Sequence, residues 1–124
     1  MGKIICFDFD GVLHSYESGW QGAHVIPDPP VPGAIQFLKD VVASEEYEAH
    51  IFSSRSHQSG GIGAIISWLL QNGIEKAELE KIRFPSVKPP AFVTIDDRAI
   101  QFDGNFVGLW KQIANFKPWN KRGI

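Results

Sequence analysis

The sequence predicts an α/β domain in three layers, with a mainly parallel sheet and helices on both of its faces. Short apolar runs alternate with segments of helical periodicity along the 124 residues. Three of these runs are followed directly by acidic or hydroxyl residues, where a strand would leave the sheet. Sheets of this class bind ligands beyond the carboxyl ends of their strands, so the same pattern predicts the location of a site.

The elements follow in a regular order. Strands are predicted at 4–9, 49–52 and 91–95, with an extended segment at 82–87, and helices at 35–42, 62–70, 75–81 and 107–116. Pro85 argues against a central strand in the 82–87 segment. The Gly- and Pro-rich residues 13–32 are predicted to form a flap loop, and residues 117–124 a loose polar tail. Residues 1–124 are therefore expected to form a single domain.

Composition and charge narrow the class of protein. Apolar residues make up 44% of the chain and charged residues 21%, which argues against disorder. The formal charge of -2 gives no strong attraction to nucleic acid or anionic membrane. The one cysteine, Cys6, excludes an internal disulfide. No signal peptide pattern and no apolar run of about 18 residues is present, so we expect a cytoplasmic protein without membrane contact.

The sharpest signal is the pair Asp8 and Asp10, followed by Gly11. Carboxylates two residues apart on an extended strand point to the same side. They repel each other unless a cation lies between them, and Mg²⁺ is commonly held by one or two carboxylates together with substrate phosphate. The ordinary alternative is a strand that ends in an Asp-Gly turn.

Three weaker signals follow the same rule. Ser53 and Ser54 follow the second strand, Lys88 precedes the last strand, and Asp96 and Asp97 end it. Hydroxyls, free backbone N–H groups and a lysine can hold a phosphate, and adjacent acids can hold a metal. Each residue also has an ordinary role: a turn or cap for the serines, a solvated lysine, and a helix N-cap for Asp97.

Taken together, these motifs resemble those of the haloacid dehalogenase-like (HAD) hydrolases. The order is an Asp-x-Asp-Gly motif, a serine, a lysine and an acidic pair, and the resemblance covers the chain from Ile4 to about Arg98. It implies a three-layer, Rossmann-like sheet of the HAD type. Neither 10–53 nor 53–88 has room for the cap domain of larger members, so the chain resembles a small capless phosphatase.

The resemblance also implies a role for each motif. Asp8 would be the nucleophile that becomes an aspartyl phosphate, and Asp10 would protonate the leaving oxygen and later activate water. Ser53, Ser54 and Lys88 would bind the substrate phosphate.

The implied cofactor is Mg²⁺. It would lie between the Asp8 carboxylate, the Asp10 backbone carbonyl and the pair Asp96 and Asp97, with Asp97 favoured as the direct ligand. These roles lead us to expect a magnesium-dependent phosphomonoesterase, and the second acid, Asp10, favours phosphate chemistry over dehalogenation.

The substrate and the acceptor stay open at this point. A nucleotide, a nucleic-acid end or a phosphoprotein would each fit an uncapped site, and oligomerisation would be one way to cover it. Transfer to an acceptor other than water is an alternative within the family. Outside it, the alternatives are an inactive binding module of HAD fold and a phosphoacceptor receiver domain. The receiver is disfavoured because Ser53, rather than an aspartate, follows the middle strand.

Several residues near the motifs have no assigned role. Trp20 and His24 are expected at the tip of the flap loop, where Trp20 would either face the substrate or pack the flap against the body. Arg55 and Arg98 directly follow motifs, and each would either contact the substrate or pair with an acid. His57 is the histidine expected nearest to the site. Aromatic and basic residues interleave from Trp110 to Arg122, a pattern that can bind single-stranded nucleic acid. A helix with a solvated basic tail is the preferred interpretation.

Overall fold

The computed structural model describes residues 2–121 and is an α/β fold with an open parallel sheet of three strands. The strands are β1 (Lys3–Phe7), β2 (Tyr47–Ile51) and β3 (Val93–Ile95), in the order β2-β1-β3. The helices are α1 (Ala34–Ala43), α2 (Gly61–Gln71), α3 (Lys76–Leu79) and α4 (Leu109–Ala114), and short 3-10 helices span Ser54–His57 and Trp119–Lys121.

The register of the sheet aligns the ends of the three strands. Phe7, the last residue of β1, pairs with Ile51 on one side and with Ile95 on the other. The residues that follow the three strands therefore emerge at the same edge. Because a parallel sheet has all its carboxyl ends at one edge, this register brings together the predicted motifs that follow the three strands, whereas Lys88 precedes β3.

One face of the sheet carries the main core. Ile5, Phe7, Ala49 and Ile51 alternate along their strands and share that face. They are buried in one cluster with Leu38 and Val41 of α1 and Ile65, Trp68 and Leu69 of α2. Burying a side chain of this size contributes about 1.5–3 kcal/mol, so this cluster accounts for much of the stability of the sheet edge that carries the site.

The opposite face is less covered. Cys6 is buried there, but its neighbour Thr94 is exposed. The predicted final helix is present as α4, yet it contacts no other helix or strand within the described residues and has no buried residue. The α/β class and the parallel sheet are confirmed, and the third layer stays a prediction.

Most of the predicted elements are confirmed, with boundaries that differ by a few residues. The extended segment 82–87 contributes a single bridge, in which Arg83 exchanges backbone hydrogen bonds with Ala49 and Ile51 beside β2. It does not become a central strand, as expected from Pro85. No helix in residues 2–121 combines the length and the apolar character needed to cross a membrane.

Candidate active site

The acidic residues of the site are brought together by the pairing of β1 with β3. The backbone N–H of Asp8 donates to the carbonyl oxygen of Ile95 at 2.9 Å, which extends the ladder one residue beyond the strands. Asp96 and Asp97 come directly after Ile95. As a result, a carboxylate oxygen from each of Asp8, Asp96 and Asp97 lies within 4.8 Å of the others.

The Asp8 carboxyl has a strongly altered acidity. Burial, followed by a hydrogen bond to the Asp97 carboxylate, raises the pKa of Asp8 to about 8. Asp97 is itself largely buried, with 7% of its side chain exposed. Without a cation, Asp8 therefore holds a proton that it shares with Asp97 at neutral pH.

Asp96 is oriented differently from Asp97. One Asp96 carboxylate oxygen accepts the backbone N–H of Arg98 at 2.8 Å, which forms a local turn after β3. Asp97 lines the cavity described below, whereas Asp96 is exposed and is not among the residues that line it. The geometry thus distinguishes two neighbouring acids that the sequence left nearly equivalent.

Gly11 allows the first motif to approach Asp97. Its φ of 81° lies in the left-handed region that favours glycine. A Cβ atom at this position would overlap the Asp97 carboxylate. Glycine is therefore favoured here for two reasons, its backbone conformation and the position of the Asp97 carboxylate, which a larger residue would displace.

Asp10 is held by two buried side chains. Arg55 donates from Nε to Oδ2 at 3.0 Å and from Nη2 to Oδ1 at 3.1 Å. His14 Nδ1 lies 2.9 Å from Oδ1, and its Nε2 accepts the backbone N–H of Asp28 at 3.1 Å. That contact assigns the His14 proton to Nδ1, so Asp10 accepts from both partners in the manner of a carboxylate.

Arg55 also holds the flap loop, residues 13–32. Its Nη1 donates to the carbonyl oxygens of Gly22, Ala23 and Val25 at 2.9, 2.9 and 3.1 Å. The Arg55 backbone is in turn packed against Gly61 at the start of α2, where a Cβ would overlap the Arg55 carbonyl. Arginine is almost never fully buried unless it is paired, and Arg55 is buried because all of these partners surround it.

A cavity of about 170 Å³ opens at this edge of the sheet. It is lined by Asp8, Asp10, Tyr16, Trp20, Ser54, Asp97 and Arg98. Tyr16 has a φ of 60°, unusual for an aromatic residue, and its ring packs against His14. Burial and then the Asp10 carboxylate raise the pKa of the Tyr16 hydroxyl. The cavity thus combines three carboxylates with aromatic, hydroxyl and guanidinium groups.

The two predicted serines occupy different places. The Ser53 hydroxyl accepts the backbone N–H of Arg55 at 3.0 Å and caps the short 3-10 helix that follows β2. Ser54 is exposed and lines the cavity. The structure therefore brings Ser54 to the acidic groups and gives Ser53 a capping contact.

Lys88 is exposed and is not among the residues that line the cavity. Burial raises the pKa of the Cys6 thiol on β1, and the positive charge of Lys88 acts to lower that pKa. Lys88 is therefore close to the central strand, but no contact joins it to a site carboxylate within the described residues.

Two side chains that hold Asp10 are not assigned to it by the sequence. For Arg55 the sequence leaves two roles open, contact with the substrate or pairing with an acid, and in the structure it pairs with Asp10. His57 is the histidine that the sequence predicts nearest to the site. In the structure His14 contacts Asp10, whereas His57 is exposed and packs edge-on against Phe52. The spacing of four residues between Asp10 and His14 was the available signal.

The tail reaches the site through one contact. The indole N–H of Trp119 donates to the carbonyl oxygen of Gly11 at 2.6 Å. This bond joins residues 108 positions apart and fixes part of the tail, which was predicted to be loose, to the first motif. Residues 122–124 of that tail, including Arg122, lie outside the described residues.

The donor set fits a hard divalent cation. Asp8, Asp96 and Asp97 offer clustered carboxylate oxygens, and a cation among them would oppose the burial and the neighbouring acids that raise the pKa of Asp8. No histidine or cysteine joins the cluster within residues 2–121, which argues against zinc. No protein-family model and no curated protein matches the chain.

Proposed function

We propose that this protein is a magnesium-dependent phosphomonoesterase of the capless HAD-like type, acting through an aspartyl phosphate on Asp8. The observation that carries the proposal is the meeting of Asp8, Asp10 and Asp97 in one cavity at the carboxyl ends of β1 and β3. Nucleophile, acid and metal ligand are the groups that this chemistry needs, and the resemblance of the motifs assigns them in the same order.

In the first half-reaction the Asp8 carboxylate attacks phosphorus, and the bond from phosphorus to the leaving oxygen breaks. Asp10 gives that oxygen a proton, which it first has to take up from solvent, because in this structure Arg55 and His14 donate to its carboxylate. Asp10 then returns to the carboxylate form, in which Arg55 and His14 donate to it as they do here. Arg55 and His14 are positioning residues in this scheme because they fix the orientation of the carboxylate and stabilise its charge.

In the second half-reaction water attacks phosphorus, Asp10 takes a proton from the water, and the bond between Asp8 and phosphorus breaks. When bound, Mg²⁺ supplies positive charge that offsets the carboxylates and the phosphoryl oxygens. Asp8, the Asp10 backbone carbonyl and Asp97 would hold it, with Asp96 nearby. Ser54, which lines the cavity, is proposed to hold a phosphoryl oxygen, and Lys88 is proposed to add charge from outside the cavity.

The test is hydrolysis of an aryl phosphate in Mg²⁺, in EDTA and in Asp8→Asn. The matched control is Asp40→Asn, an exposed aspartate on α1. We expect turnover that requires Mg²⁺, disappears in Asp8→Asn and persists in Asp40→Asn. Borohydride trapping during turnover, read by mass spectrometry, should locate the acyl phosphate at position 8.

Two results would contradict the proposal. Turnover that persists in Asp8→Asn would show that another group is the nucleophile. Tight Mg²⁺ binding without turnover on any of a broad set of phosphomonoesters would favour the inactive binding module.

A further inference from the structure

The flap loop is fixed over the cavity by contacts along most of its length. Arg55 binds three of its carbonyl groups, as described above. Asp28, near its far end, accepts from the Ser18 hydroxyl at 2.6 Å and from the Ser18 backbone N–H at 2.7 Å. Trp68 of α2 donates to the Asp28 carbonyl at 3.0 Å. The loop therefore presents a defined surface to the cavity.

Trp20 is the most prominent side chain on that surface. Its ring lies 4.8 Å from the Arg55 guanidinium carbon, a cation–π contact. It lines the cavity and still keeps 47% of its surface exposed. Trp20 is thus supported by a buried cation and remains open to a ligand.

The size of the cavity limits what can enter it. Pockets that enclose a drug-sized ligand measure roughly 300–1,000 Å³, and this one measures about 170 Å³. A phosphoryl group and its nearest atoms fit, so the rest of the substrate has to lie on the rim. The chemistry of the rim therefore indicates the class of leaving group.

The rim offers an aromatic ring and a cation. Arg98 lines the cavity, and its Nε lies 4.0 Å from Asp97 Oδ2 in a long ion pair. Its side chain is still 66% exposed, so the outer part of the guanidinium can contact a second phosphate or a planar group. Trp20 offers a ring on which a planar base can stack. Stacking on an aromatic side chain beside positive charge is how proteins hold unpaired bases without reading sequence.

We propose that the substrates are nucleoside phosphomonoesters, with the phosphate in the acidic cavity and the base stacked on Trp20. This inference rests on the proposed phosphatase function and adds the class of leaving group. A phosphate attached to a nucleoside occurs in two kinds of molecule, a free nucleotide and the phosphorylated end of a single strand, and both fit this proposal.

The kinetic test compares adenosine 5′-monophosphate with ribose 5-phosphate, which lacks the base. Stacking of one base is expected to raise kcat/KM for the nucleotide by about 5- to 150-fold. Trp20→Leu keeps an apolar side chain but removes the ring, so the ratio should fall to near one, and Trp20→Phe should retain most of it. The matched control is Trp110→Leu, an exposed tryptophan on α4, which should keep the parent ratio.

A binding test separates this inference from the catalytic proposal. In Asp8→Asn with Mg²⁺, the purine protons of the nucleotide should shift upfield in NMR spectra, and Trp20→Leu in that background should abolish the shift. If these shifts appear while the parent protein hydrolyses no phosphomonoester, base recognition stands and the catalytic proposal fails. If turnover is present but indifferent to the base and to Trp20→Leu, this inference is overturned and the phosphatase remains.

Two further arms complete the experiment. If the substrates are strand ends, oligonucleotides with a 5′- or a 3′-phosphate should be hydrolysed with a higher kcat/KM than the mononucleotide. If the substrates are free nucleotides, kcat/KM for the oligonucleotides should be equal or lower. A phosphopeptide hydrolysed faster than every nucleoside phosphate would overturn the inference.

Discussion

Arg55 and Asp10 form an ion pair in which Nε lies 3.0 Å from Oδ2, and the arginine side chain has no exposed surface. Because the same guanidinium binds three flap carbonyls, the proposed acid and the flap depend on one side chain. Removing one member of a buried pair leaves the other charge without compensation, which is costly.

Arg55→Ala should therefore lower the free energy of unfolding by about 3–5 kcal/mol. Arg55→Lys should lower it less, because a charge remains, but it should still reduce kcat because the bidentate contact to Asp10 is lost. Urea denaturation and steady-state kinetics measure the two effects. Arg83→Ala, an exposed arginine, should stay within about 0.5 kcal/mol of the parent, and an equally small change in Arg55→Ala would refute the structural role.

Mg²⁺ binding should release protons below pH 8. The pKa of Asp8 is about 8 without metal, and a ligand carboxylate has to be ionised. Near pH 6.5 we expect about one proton released per cation and an affinity that rises about tenfold per pH unit. Calorimetry in two buffers of different ionisation enthalpy measures the release, which should vanish in Asp8→Asn. Metal binding without proton release would contradict the raised pKa.

The same pKa sets the stability of the metal-free protein. A carboxyl whose pKa is raised on folding stabilises the folded state most below its ordinary value of 3.8. That contribution is lost as the pH rises to about 8. The slope of unfolding free energy against pH should therefore be shallower in Asp8→Asn than in the parent, with both measured in EDTA.

Gly11→Ala should lower the affinity for Mg²⁺, while its effect on the free energy of unfolding should match that of a control glycine. Gly33 provides a matched control, since its φ of 86° is close to the 81° of Gly11 and no atom lies within 4 Å of its would-be Cβ. Both substitutions carry a similar backbone strain of about 1 kcal/mol. Only Gly11→Ala displaces Asp97, so only it should lower Mg²⁺ affinity, by about 10- to 100-fold. Equal affinities in the two variants would contradict the overlap.

Substitutions of the two serines should affect different properties, with Ser53→Ala lowering stability and Ser54→Ala lowering turnover. Ser53→Ala removes a cap and should cost about 0.5–2 kcal/mol in urea denaturation. Ser54→Ala should change stability by less than about 0.5 kcal/mol but lower kcat/KM, because Ser54 is the serine that lines the cavity. A fully stable Ser53→Ala protein with lost turnover would instead assign the phosphoryl contact to Ser53.

Trp119→Phe tests the contact between the tail and the first motif. The ring is kept, but the 2.6 Å hydrogen bond to Gly11 is lost. We expect a loss of about 0.5–1.5 kcal/mol and faster amide exchange in residues 116–121. Trp110→Phe, on the exposed helix α4, is the control and should leave exchange in that segment unchanged.

Much of the site could be predicted because a parallel sheet collects its strand ends at one edge. The apolar runs located the strands, and the residues after them, Asp8, Ser54 and Asp97, meet in the cavity. Predicting that these residues meet required the positions of the strands but not the exact register of the sheet. The distinction between Ser53 and Ser54 did need local geometry, since Ser53 caps the short 3-10 helix and Ser54 is the serine that lines the cavity.

Arg55 and His14 could not be assigned from the sequence for a different reason. An arginine looks like a surface residue until its partners are known, and those of Arg55 lie 30 to 45 positions earlier in the chain. The final helix shows the opposite limit. Its periodicity predicted α4 correctly, but periodicity does not say what the apolar side of a helix packs against, and α4 has no buried residue.

The three hydrogen bonds from Arg55 to the flap loop all end on backbone carbonyl oxygens, those of Gly22, Ala23 and Val25. Every amino acid carries such an oxygen, so these three hydrogen bonds do not depend on the side chains at positions 22, 23 and 25, whereas the contacts of His14, Ser18 and Asp28 do depend on their side chains. Exposed side chains of the flap loop can therefore be substituted while Arg55 still holds both the loop and Asp10. We propose that substrate preference and bond cleavage reside in separable parts of this site, and that a change of preference would begin at Trp20.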